Sequence, residues 1–96
     1  MAVTVLAIIK AKPGMEARVE QALKDLIEPT RQESGCINYD LHVLMDQPGE
    51  FMFYENWQSK EDLDDHLNRP HLQDFLLQAE EILAEPVSIS LFRKID

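Results

Sequence analysis

A chain of 96 residues, 45% of them apolar, has room for one modest hydrophobic core, so a single domain spanning 1–96 is the expectation. Eighteen acidic residues against nine basic ones leave a net charge of −9, and no stretch interleaves Lys and Arg with aromatics, which argues against a nucleic-acid partner. The longest apolar runs, at 3–9 and 87–92, fall far short of the ~20 residues of a spanning helix, and no secretory signal opens the chain. No membrane association and a cytoplasmic location are therefore expected, in keeping with a single cysteine, Cys36, that cannot form an internal disulfide.

Residues 2–11 are rich in β-branched side chains and stop at Pro13-Gly14, which predicts a first strand. From 15 to about 34 the apolar positions Met15, Val19, Ala22, Leu23, Leu26 and Ile27 recur at steps of three and four, the pattern of an amphipathic helix. Pro29 should make its last turn irregular, and Gly35 should mark its end. Residues 36–45 alternate as a second strand, Asp46-Gln47-Pro48-Gly49 supplies turn chemistry, and 51–57 form a third. Ser59-Lys60-Glu61-Asp62 resembles a capping box and starts a helix carrying Leu63, His66 and Leu67 on one side. Pro70 interrupts it, a second helical stretch runs to Glu85-Pro86, and 87–95 read as a fourth strand.

This order predicts an α+β, ferredoxin-like βαββαβ fold, in which a four-stranded antiparallel sheet carries two helices on one face. A sheet covered on one side should be polar on the other. Here Leu6 and Ile8 oppose Val3, Val5, Ala7 and Ile9, while Met52 and Tyr54 oppose Phe51, Phe53 and Trp57. Helices can cover only one of these faces, so a homodimer with its sheets packed face to face is expected.

Three segments carry a family resemblance: Gly35-Cys36-Ile37-Asn38-Tyr39-Asp40-Leu41-His42, Tyr54-Glu55-Asn56-Trp57-Gln58-Ser59, and His66-Leu67-Asn68-Arg69-Pro70-His71. In order and spacing the chain resembles the antibiotic biosynthesis monooxygenase family, including its quinol-monooxygenase-like members. The resemblance implies a dimeric α+β barrel, a pocket between sheet and helices, and oxygenation of a small quinol, phenol or polycyclic aromatic compound by molecular oxygen with no cofactor. Trp57 matches a functional Trp of the anthrone-oxygenating branch, whereas Phe53 and Leu63 stand where that branch has Asn and Tyr. In the haem-degrading branch a Trp and an iron-binding His fall at His66 and Leu76, which disfavours haem degradation. Another branch resembles an isomerase of a small carbonyl compound, and it keeps the pair seen here as Pro70-His71.

Cofactor-free oxygenation requires a substrate able to give an electron to oxygen, and a protein that deprotonates it. Glu55 lies two residues from Trp57, on the face of Phe51 and Phe53, where desolvation would raise its pKa. His66 shares a helix face with Leu63 and Leu67 and points at the sheet. Glu55, Trp57 and His66 are therefore the candidate catalytic residues. Tyr39, His42, Phe53, Leu63 and His71 are the candidate substrate contacts, although His42 equally suits a polar pair with Asp40 and His71 a helix start. No metal is expected, because His66 and His71 are five apart across a proline rather than one helical turn apart. A non-catalytic small-molecule-binding or stress-response protein is the plainer alternative.

Overall fold

The computed structural model describes residues 2–96. Its elements are β1 (Val3–Lys10), α1 (Glu16–Arg31), β2 (Cys36–Leu44), β3 (Gln47–Trp57), α2 (Lys60–Leu67), α3 (Pro70–Ile82) and β4 (Ser88–Phe92). The strands form one antiparallel sheet in the order β2-β3-β1-β4, with the helices on one face, which is the ferredoxin-like α+β arrangement.

Register explains the burial. Val5 pairs with Glu55, Ala7 with Phe53 and Ile9 with Phe51, while Tyr39 pairs with Glu55 from the other side, so these residues share the helix-covered face. Val19, Leu23 and Leu26 of α1 close over them at helical spacing. The opposite face holds Leu6, Ile8 and Met52, half-buried, with Tyr54 and Phe92 exposed. Beside them a polar chain runs across the strands: Thr4 Oγ1 donates to Asn56 (2.6 Å), Asn56 to Asn38 (2.9 Å), and Asn38 to Asp40 (3.1 Å).

Two boundaries differ from the sequence expectation. The hairpin turn is Met45-Asp46, not Asp46 to Gly49, because a register shift after Val43 pairs Leu44 with Gln47 and draws Pro48 and Gly49 into β3. Pro48 is tolerated there because β1 stops at Lys10, opposite Glu50, so no strand needs its missing N–H on that side. The fourth strand ends at Phe92 rather than at 95, because Phe92 already faces Thr4 at the start of β1 and the sheet has no further partner to offer.

The loop from α1 into β2 sets up the site. Pro29 lies within α1, which runs on to Arg31 before the chain turns irregularly through 32–35. Gly35 is required by close approach: a Cβ there would lie 2.2 Å from Asp62 Cγ. Asp62 is held in turn by Ser59, whose hydroxyl accepts from the Asp62 N–H (3.1 Å) and donates to its carboxylate (3.0 Å), the expected cap at the start of α2. Gly35 thus lets the loop carrying Glu33 lie against α2.

Candidate active site

A pocket opens between the sheet and all three helices. Ala7, Phe53 and Glu55 form its floor, Leu23 and Leu26 of α1 with Leu63 and His66 of α2 its roof, and Phe75, Leu76, Val87 and Ile89 its outer side. Tyr39 joins the wall stacked on Phe53, with ring centroids 4.1 Å apart. The cavity measures ≈ 50 Å³, a third of the ~150 Å³ that accepts a benzene ring. A ring therefore enters only if the wall yields. Leu76 and Ile89, 42% and 44% exposed, are the side chains free to give way.

Two ionisable groups besides Tyr39 face this apolar space. Glu55 is 4% exposed, and desolvation pushes its carboxyl up to about 7 against the counter-effect of one hydrogen bond, from Trp57 Nε1 at 2.8 Å. His66 is 2% exposed, and desolvation pulls its pKa below the usual value despite its bond to Glu33. Trp57 couples the two, its ring lying 4.5 Å from the His66 ring while its N–H holds Glu55. Burial therefore favours the uncharged form of each, a carboxylic acid beside a neutral imidazole. Such a pair can accept a proton at one atom and supply one at another. The buried Tyr39 hydroxyl is driven upward by the same desolvation and stays protonated.

Behind His66 lies a residue that the sequence did not single out. Glu33 Oε2 accepts from His66 Nδ1 at 2.8 Å and from His71 Nε2 at 2.9 Å, and Arg69 Nε stands 3.5 Å from its other oxygen. The break between α2 and α3 at Asn68-Arg69 turns the chain so that His66 and His71, unsuited to one helical turn, converge on a single carboxylate. Their donor atoms lie within 4.8 Å of one another, so this is the set of described residues with the composition to hold a transition-metal ion. Both contacts are at hydrogen-bond length on one oxygen, with a guanidinium on the other, which is the geometry of a hydrogen-bonded hub.

Of the residues expected at the site, Tyr39, Phe53, Glu55, Leu63 and His66 meet at the cavity. Trp57 is wholly buried behind Glu55 and His66. His71 lies outside the cavity, on the solvent side of Glu33, beside Asp74 and Arg18. His42 points from the opposite sheet face, next to Met52, because it is one residue out of phase with Tyr39 and Leu41. His42 does pair with Asp40, through the backbone: His42 Nδ1 lies 3.1 Å from the Asp40 backbone oxygen, while the Asp40 carboxylate takes Asn38 and Arg31. Cys36, half-buried, has its thiol pushed up to about 11, mainly by desolvation, which leaves it a poor nucleophile.

Residues 2–77 match the antibiotic biosynthesis monooxygenase family. The chain belongs to that family. A Mycobacterium tuberculosis protein provisionally named a monooxygenase is 33% identical over 94 residues, 98% of this chain and 92% of its own. Its solved structure superposes with a TM-score of 0.94, covering 100% of this chain and 97% of that one at 32% identity. A solved structure described as an antibiotic biosynthesis monooxygenase superposes with a TM-score of 0.91 at 29% identity, covering 98% and 99% of the two chains. An uncharacterised Synechocystis protein is 30% identical over 91 residues, and the match takes in 95% of this chain but only 62% of that longer relative. No helix among the described residues is long and apolar enough to cross a membrane.

Proposed function

We propose that this family member is a cofactor-free monooxygenase of a small phenol or quinol, in which His66 removes a proton from the substrate and Glu55, as a neutral acid, supplies one to the reduced oxygen. The observation that carries this reading is the pair of buried groups on one apolar cavity, both pushed toward the uncharged form by desolvation. Loss of a proton to a neutral imidazole makes the bound compound electron-rich enough to reduce molecular oxygen, and a carbon–oxygen bond forms to give a hydroperoxide. The ring carbon that carries it loses its one hydrogen as a proton, the O–O bond breaks, and the carbonyl product leaves with one water. Glu55 protonates the departing oxygen. Tyr39 and Phe53 form the aromatic wall for the ring, with Leu63 opposite.

Oxygen uptake with a panel of hydroquinones and phenols tests this. Uptake well above the uncatalysed rate for at least one compound, lost in His66→Ala, is expected; no compound above background removes the reading. The small cavity favours a second reading, an isomerase moving a proton between adjacent carbons of a compact carbonyl compound. Deuterium incorporation from heavy water without oxygen would identify it.

The working unit in this proposal is a homodimer. Leu6, Ile8 and Met52 with the exposed Tyr54 and Phe92 make an apolar stripe on the helix-free face, and a second sheet would cover it.

A further inference from the structure

We propose that Glu33 is a positioning residue for His66: its carboxylate, anchored by His71 and Arg69, fixes the imidazole as the Nδ1–H tautomer and turns the Nε2 lone pair into the cavity. The inference rests on the reading of His66 as the proton acceptor. A carboxylate only accepts, so the nitrogen 2.8 Å from Glu33 Oε2 carries the hydrogen. In a neutral imidazole the other nitrogen is then the acceptor. Thr30 Oγ1 is the sole enclosed side-chain polar atom among the described residues without a partner. Nε2 of His66, which has no protein partner either, therefore opens on the cavity that the residue lines.

The ring has little freedom to turn. Trp57 lies tilted across it at 4.5 Å and Tyr39 meets it edge-on at 5.5 Å, so the Nδ1 edge is left to Glu33 and the Nε2 edge to the pocket. Every element packed here contributes. Glu33 comes from the loop before β2, His71 from α3, Arg69 from the α2–α3 break, and Glu55 and Trp57 from β3. His71 donates to Glu33 Oε2 from the solvent side, and the Arg69 guanidinium forms an ion pair with the other oxygen. The charge also matters when a proton arrives at Nε2, because the imidazolium forms directly against a carboxylate.

Two variants separate these effects. In ¹⁵N spectra of the full chain at pH 7.5, wild-type His66 should show a protonated Nδ1 and a bare Nε2. Glu33→Ala should shift the ring toward the Nε2–H form. Glu33→Gln keeps an acceptor of the same size but loses the charge. It should retain the tautomer while kcat for a hydroquinone substrate falls about tenfold or more, with KM within about twofold. A wild-type Nε2–H tautomer, or a Glu33→Ala spectrum unchanged from wild type, overturns the proposal, as does Glu33→Gln at full kcat. Should Glu33→Ala fail to fold by circular dichroism, the wild-type tautomer and the Glu33→Gln kinetics decide. The spectra need no turnover, so the expected tautomers with no hydroquinone oxidised uphold the positioning and sink only the oxygenase reading.

Discussion

Glu55 and His66 receive opposite pKa shifts from one cause, the removal of water, and stability should record both. Glu55 titrates near 4.5 when unfolded and about 7 when folded. Between those values the folded state binds more protons, so stability falls as pH rises through the window, by about 3 kcal/mol in all. His66 works the other way: its lowered folded pKa makes stability fall as pH drops below about 6.5. Glu55→Gln removes the first effect alone. Urea titrations should find that variant close to wild type at pH 4.5 and more stable by about 3 kcal/mol at pH 8. An equal difference at both values would mean that Glu55 is not desolvated.

Gly35 fixes where the loop bearing Glu33 meets α2, through backbone rather than chemistry. Gly35→Ala would drive a Cβ into Asp62, whose carboxylate is engaged by the Ser59 cap, and should cost about 1–3 kcal/mol. If thermal melting finds no loss, the close approach does not constrain the loop. The elements themselves were legible because alternation in β1 and β3 and three- and four-residue spacing in α1 are direct signatures of burial. Tyr39, Phe53, Glu55, Leu63 and His66 were legible for the same reason, since each lies on a core-facing stripe. Glu33 was not. It follows the helix in a polar turn, Gln32-Glu33-Ser34, and only the fold brings His66 and His71 to it from 33 and 38 residues away. The neighbouring Gly35 was the one available hint that a close approach happens there. The Met45-Asp46 turn was hidden by stronger turn residues just beyond it, which the register shift absorbs into β3.

For the whole molecule, the helix-free face and the pocket make separate demands. Ile8 and Met52 are directly paired on that face, so Ile8→Asp should weaken self-association. Sedimentation equilibrium at micromolar concentration should find wild type at twice 11.1 kDa and the variant shifted toward monomer. A folded wild-type monomer would contradict the dimer. The pocket's chemistry is tested most directly by the pH dependence of oxygen uptake. With a neutral base and a protonated acid both required, kcat/KM for a hydroquinone substrate should fall on the acid side as His66 charges, at a pH below the ordinary imidazole range because desolvation lowers its pKa. It should fall again above about 7 as Glu55 ionises, and Glu55→Gln, which cannot supply the proton, should be slow at every pH and show no upper limb. A rate that rises through pH 7 to a plateau instead would make Glu55 the base and contradict the assignment.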